Sequence, residues 1–285
     1  MNLPVNQLMQ RDCIEGMSEL PSHSVDLVLA DPPYNLSKGN AWKWDNSVAL
    51  PGMGGNWNKA MESWDSMPLT DYFKFTVLWL TQIQRITKPT GSIWLCGTYH
   101  NIGIINFALQ LLEIEIINEV VWFKRNSFPN LSGRRLTASH ETLLWAHSGK
   151  KRKYHFDYER SKKLSNEWDL MKVEGKQLRT VWDIPNNKAR SELTHGKHPT
   201  QKPVRLFTRI IELSGKQNGV MLTPFAGSGT ECVAAYRAGM SYIGYETEPE
   251  YLMLATKRLE DEKAGLNLAG ANDEIEEKQS GSTDD

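Results

Sequence analysis

Residues 219–246 read as one strand–turn–helix–strand unit, and this unit limits the fold more than any other feature of the 285-residue chain. Gly219–Leu222 leads a strand into Pro224-Phe225-Ala226-Gly227-Ser228-Gly229-Thr230. Glu231–Ala238 is the helix that follows, and Gly239 is its natural stop. Ser241–Tyr245 is the next strand, ending at Glu246. Gly227 and Gly229 permit a tight turn and close approach of a ligand, and the helix start offers unpaired N–H groups. No Gly-Lys-Ser/Thr follows, so this is not a phosphate loop, and the third glycine of a Gly-x-Gly-x-x-Gly pattern is absent. An acid at 246 can accept hydrogen bonds from both ribose hydroxyls of a nucleoside. A nucleoside cofactor without a bound pyrophosphate fits. A plain turn between strand and helix stays open as the alternative.

The same alternation runs upstream. Ser24–Ala30 is a strand that stops at Asp31-Pro32-Pro33-Tyr34. Two prolines cannot continue a central strand, so Asp31 sits at the strand's C-terminal end, the ligand edge of an open α/β sheet. Helical periodicity covers Thr70–Thr87, closed by Lys88-Pro89, and then Asn101–Leu112, Val204–Leu213 and Pro249–Glu262. Ser92–Cys96, Ile116–Phe123 and Glu141–Ala146 read as strands. Strands alternating with helices predict an α/β fold with an open, mostly parallel sheet and helices on both faces. Ser37–Met67 reads as a long loop carrying Trp42, Trp44, Trp57 and Trp64, a mobile segment that either orders over a substrate or packs on the protein. Gly149–Lys163 is basic and aromatic without a clear period. Residues 265–285 read as a disordered acidic tail.

Composition narrows the class. Hydrophobic residues make up 40% and charged residues 24%, which is ordinary for a globular domain. No apolar run approaches the roughly 20 residues that span a bilayer, and the N-terminal segment lacks the features of a secretory signal. Cys13, Cys96 and Cys232 make neither a disulfide framework nor a metal site, and a reducing cytoplasm is the expected setting. The net charge of −1 hides an asymmetry: residues 122–205 hold 19 Lys and Arg against 8 Asp and Glu. A basic middle between acidic flanks suggests a polyanion partner, with a solvated basic surface as the bland alternative.

Asp31-Pro-Pro-Tyr34 places a carboxylate, a rigidly aimed proline carbonyl and an aromatic ring at the ligand edge. Two adjacent acceptors suit the two protons of an exocyclic amine, and the ring can stack on the attached base. Together with Pro224–Thr230, with His198-Pro-Thr-Gln-Lys-Pro203, and with Asn130–Arg135 and His140–Trp145, the tetrapeptide resembles the β-group of S-adenosyl-L-methionine-dependent DNA amino-methyltransferases. The resemblance covers most of residues 8–263. It implies a Rossmann-like methyltransferase domain over 1–264 with a target-recognition segment at about 126–197.

By that resemblance, Asp31, Pro32 and Tyr34 are catalytic. Phe225, Ala226, Gly227, Ser228, Gly229 and Thr230 form the cofactor loop, Glu246 holds the ribose, and Asp12 meets the adenine of the cofactor. His198, Thr200, Gln201 and Lys202 approach its methionine end, where Lys202 can pair with the carboxylate. In the basic segment 122–205, Arg134 and Arg135 are expected near DNA phosphates or a guanine edge, with a surface ion pair as the alternative. One position departs from the family: Thr223 stands where an aspartate is usual before Pro-Phe. The reaction implied is methyl transfer from S-adenosyl-L-methionine to the N6 amine of an adenine flipped out of the stack. DNA, double-stranded or single-stranded, is the implied partner, and a homodimer the implied assembly. Cytosine C5 chemistry is excluded because no cysteine stands at the motif. Cytosine N4 methylation and a non-catalytic DNA-binding relic remain open.

Overall fold

The computed structural model describes residues 3–35, 67–127, 129, 134–164, 175–186, 190–196 and 198–265. The long tryptophan-bearing loop and the acidic tail of the sequence reading lie almost wholly outside these. In chain order the elements are β1 (Gln7–Gln10), α1 (Cys13–Ser18), β2 (Val25–Ala30), α2 (Leu69–Ile86), β3 (Thr87–Gly97), α3 (Ile102–Leu111), β4 (Glu115–Phe123), β5 (His140–His147), α4 (Tyr158–Leu164), β6 (Val181–Asp183), α5 (Val204–Ser214), β7 (Val220–Thr223), α6 (Thr230–Arg237), β8 (Ser241–Glu246) and α7 (Pro249–Lys263).

Among the described residues eight strands form one sheet in the order β1-β8-β7-β2-β3-β5-β4-β6. Every neighbouring pair is parallel except those made by β5, which runs against both β3 and β4. The sequence expectation of an open, mostly parallel α/β sheet is therefore met. All six residues of β2 are buried, as expected of a central strand covered on both faces. Leu27, Leu29, Trp94, Cys96, Leu143 and Trp145 face one side, where α5, α6 and α7 pack. Val28, Ala30, Ile93, Leu95, Leu144 and Ala146 face the other, against α1, α2 and α3. This period-2 division makes the register unforgiving, since a one-residue slip would exchange the two cores.

The structure adds to the sequence reading at four places and adjusts one. β1, α1, α4 and β6 were not read, and all four are short. Lys88-Pro89, read as the end of a helix, lies inside β3, which begins at Thr87 directly after α2. Its pairing with β2 jumps from Val25↔Thr87 to Leu27↔Ser92, so the proline sits in a bulge where no ladder donor is required. Lys88 uses that bulge to reach the buried Asp26 at 2.7 Å, and Asp26 also accepts from the Val220 N–H at 2.9 Å. Cys13, Cys96 and Cys232 are buried and free, as expected of core residues.

After β2 the chain moves by way of α2 to β3. After β7 it moves by way of α6 to β8, in the opposite direction along the sheet. The carboxyl ends of β2 and β7 are therefore a topological switch point, where open α/β sheets bind ligands. No helix among the described residues is long and apolar enough to cross a membrane.

Candidate active site

A cleft opens at that switch point, with about 1110 Å³ of empty space out to its mouth. Asp12, Asp31, Pro32, Tyr34, His198, Thr200, Gln201, Lys202, Phe225, Ala226, Gly227, Ser228, Thr230 and Glu246 all line it. Segments as far apart in sequence as Asp12 and Glu246 are thus brought together. Gly229 is the one loop residue read from sequence that stands behind the wall. Arg134 and Arg135 do not line the cleft. They lie on the segment leading into β5, on the same sheet edge, where Arg135 donates to the Tyr99 hydroxyl at 3.3 Å.

The wall from β7 to β8 is built by backbone. Gly229 is the cap of α6 at φ 72°, and a Cβ there would lie 2.8 Å from the Ala255 Cβ. Only glycine meets both demands. Gly227 has φ +48°, and its N–H donates to Glu246 Oε2 at 2.7 Å. The Glu248 N–H donates to Oε1 at 2.9 Å. These bonds fix the carboxylate while each oxygen keeps a lone pair for a ribose hydroxyl. Arg258 of α7 staples the loop from behind, donating to the Ser228 carbonyl at 2.6 Å and to Thr230 Oγ1 at 2.9 Å. Phe225 sits edge-on to Trp79, with ring centroids 5.5 Å apart, and offers an apolar surface to a base. Asp12 caps α1, its Oδ1 accepting from the Ile14 and Glu15 N–H groups at 2.9 and 3.0 Å.

The opposite wall is built by side chains. Asp31 Oδ2 accepts from Lys202 Nζ at 2.7 Å, and Oδ1 from the Tyr34 hydroxyl at 2.6 Å. Lys202 also donates to the Tyr34 oxygen at 2.6 Å and to the Thr200 carbonyl at 3.2 Å. Glu141, at the start of β5, closes the cluster. Its Oε2 is 3.1 Å from the Tyr34 hydroxyl and 3.5 Å from Lys202 Nζ, and its Oε1 accepts from Lys124 at 2.8 Å. A tyrosine has one proton, so Asp31 and Glu141 compete for it. The Pro33 carbonyl is taken by the Tyr72 hydroxyl at 2.6 Å, whereas among the described residues the Pro32 carbonyl has no donor.

Burial pushes Asp31 above the usual carboxylate range, and Lys202 opposes the shift. Glu141 is equally buried, but Lys202 and Lys124 together hold it below its ordinary value. Burial alone would lower Lys202, yet Asp31 and Glu141 outweigh it and keep the ammonium charged. His198 is pushed down to about 4 by burial, Lys202 and Arg258, so the imidazole is neutral. Its Nδ1 accepts from the Thr200 N–H at 3.3 Å, which leaves the proton on Nε2.

One placement differs from the sequence reading, and four residues add to it. Lys202, expected at the methionine carboxylate of the cofactor, is turned to Asp31, Tyr34 and Glu141. Glu141, Lys124, Glu231 and Arg258 belong to the site and were not singled out. The family resemblance of His140–Trp145 was the signal for Glu141. Nothing local distinguishes Glu231 or Arg258 from an ordinary helix charge.

A family model for DNA methylase matches residues 25–257. The chain belongs to the DNA methylase family. It is 38% identical over 267 residues to Type II methyltransferase M.HinfI of Haemophilus influenzae, covering 92% of this chain and 70% of that protein. It is also 38% identical over 256 residues to Type II methyltransferase M2.DpnII of Streptococcus pneumoniae, covering 90% of each. The crystal structure of an M1.HpyAVI–SAM complex shares the fold, with a TM-score of 0.60 at 24% identity over 89% of this chain and 98% of that one. The chain is a DNA methyltransferase with DNA as its partner.

Proposed function

We propose that this methyltransferase modifies the N6 amine of an adenine flipped out of a specific DNA sequence, with S-adenosyl-L-methionine as the donor. The single observation that carries the reading is the juxtaposition of Asp31 and the donor-free Pro32 carbonyl with the Phe225–Glu246 wall across one cleft. The cofactor supplies a methyl group on a cationic sulfur, open to direct displacement.

The chain's own residues supply position and polarity. An exocyclic amine is a poor nucleophile because its lone pair is delocalised into the ring. Asp31 and the Pro32 carbonyl accept its two protons, which favours a pyramidal nitrogen with a localised pair. Lys202 opposes the rise that burial imposes on Asp31 and so favours its ionised form, the stronger acceptor. Tyr34, only 5% exposed and tied by its hydroxyl to Asp31, gives the base a wall to stack on. Catalysis is chiefly positioning and preorganised electrostatics. Asp31 passes the surplus proton to water. Arg134 and Arg135, on the same sheet edge as the cleft, meet phosphates or a guanine edge, so binding falls steeply with salt. An aspartate at the head of the tetrapeptide resembles the adenine-modifying members and favours adenine over cytosine. We place the enzyme in the cytoplasm as a homodimer, which light scattering tests.

Tritiated S-adenosyl-L-methionine and mixed-sequence DNA, digested to nucleosides after reaction, test the base. Label in N6-methyldeoxyadenosine is expected. Label in N4-methyldeoxycytidine would overturn the choice of base and keep the chemistry.

A further inference from the structure

The cleft holds two buried acceptors that no other described residue supplies with a donor. Glu231, in the first turn of α6, is 3% exposed and lines the cleft, and among the described residues its own N–H is the one that reaches its carboxyl. Gln201 is 8% exposed and lines the same cleft. Its Nε2 donates to the Glu192 carbonyl at 2.9 Å, but its Oε1 is buried with no partner. The cations nearby are committed elsewhere: Arg258 to Ser228, Thr230 and Glu192, and Lys202 to Asp31 and Tyr34. Every other acid of this cleft described above holds at least one donor from another residue. A buried acceptor without a donor is costly, and it persists where a ligand brings the donor. Thr223, at the end of β7, adds to the pattern. It occupies the position where the family usually has an acid, and its buried Oγ1 is also unpartnered.

We propose that Glu231 is a cofactor-positioning residue whose carboxylate, together with the Gln201 amide oxygen, receives the α-ammonium of the methionine end of S-adenosyl-L-methionine. It supplies the negative charge that Thr223 leaves out. An ammonium carries three donors, which two acceptors lining the same cleft can use. The same end of the cofactor bears the sulfonium, so fixing the ammonium fixes the methyl group relative to Asp31. The inference rests on the cofactor seating in this cleft.

The electrostatics give the inference its own signature. Burial, and then Asp31, push Glu231 up to about 8, so it holds a proton at pH 7. The groups facing it are Asp31 after β2, which raises it, and Lys202 before α5 and Arg258 of α7, which lower it. The thiols of Cys96 on β3 and Cys232 on α6 are neutral at this pH, being held well above their ordinary value by burial. Receiving a cation as a carboxylate expels the Glu231 proton.

Calorimetric titration of the full chain at pH 7, in two buffers of different ionisation enthalpy, counts that proton. S-adenosylhomocysteine carries the ammonium, whereas 5′-methylthioadenosine has the same nucleoside thioether without the amino acid. Wild type is expected to release about one proton with the first ligand and none with the second. Glu231→Gln is expected to bind the first at least tenfold more weakly without proton release, and the second within twofold of wild type. Equal proton release for both ligands in wild type, or equal weakening of both by the substitution, would overturn the proposal. The wild-type comparison decides even if the variant fails to fold. Binding of neither ligand to wild type would overturn the cofactor's seating itself.

Discussion

The two walls of the cleft hold their shape by different means. The wall from β7 to β8 is set by backbone: a glycine at φ 72°, and the Gly227 N–H on a carboxylate 19 residues away. The wall from β2 to β5 is set by four charged side chains and a tyrosine, joined across as many as 171 residues of sequence. Backbone determines the first almost without regard to solvent. The second is a buried network in which each charge depends on the others, so loss of one partner costs more than the bond it made. The backbone turn of the first wall therefore tolerates a change of pH, which acts there on the Glu231 carboxyl, whereas in the second wall pH and single substitutions act on the network itself.

The sharpest way to break that contrast is Lys202→Met. It leaves Asp31 and Glu141 buried without their shared cation. Stability is expected to fall by about 3–5 kcal/mol in urea unfolding, and methyl transfer by more than a hundredfold. A smaller loss would mean that Asp31 and Glu141 do not depend on the lysine. Gly229→Ala attacks the other wall. It combines a strained φ with a 2.8 Å clash at Ala255. About 1–3 kcal/mol of stability should go, and cofactor affinity should fall while the pH profile of transfer stays put.

Glu141→Gln sharpens the comparison from the other side. The Glu141 charge raises Asp31, so removing it lowers the carboxyl's pKa. Activity requires ionised Asp31 and is lost as pH falls through that pKa, so the acid limb of the kcat profile should move to lower pH. An unmoved limb would separate Glu141 from Asp31. The His198 effect appears only as pH falls below about 6.5. It stays neutral in the fold down to about 4, whereas an unfolded histidine protonates near 6.5. The unfolded state alone takes up that proton between the two values. The associated stability is present above about pH 6.5 and declines towards pH 4, by about 3 kcal/mol in all. His198→Asn should flatten that slope in unfolding curves taken at successive pH values.

The same contrast accounts for what could be read in advance. Strand β2, the Phe225–Thr230 turn, α6 and β8 were legible because their signals are local: an apolar run, paired glycines, an acid at a strand end. β1 and β6 span only four and three residues, and α1 only six, too short for a period to register. Pro89 reads as a helix stop because the bulge that accommodates it exists only once β2 is alongside. In the site, Asp31, Pro32, Tyr34 and Glu246 were legible from motif and family. The turn of Lys202 towards Asp31 was not, because it depends on Glu141 arriving from β5. Glu231 carries no signal until α6 places it on the cleft wall.

The most direct test is Asp31→Ala, with cofactor binding and single-turnover methyl transfer to DNA measured on the same sample. The account predicts binding within about twofold of wild type and transfer reduced by at least about a hundredfold. Transfer at the wild-type rate would contradict it, and so would loss of binding in step with loss of transfer, since the two walls would then not be separable.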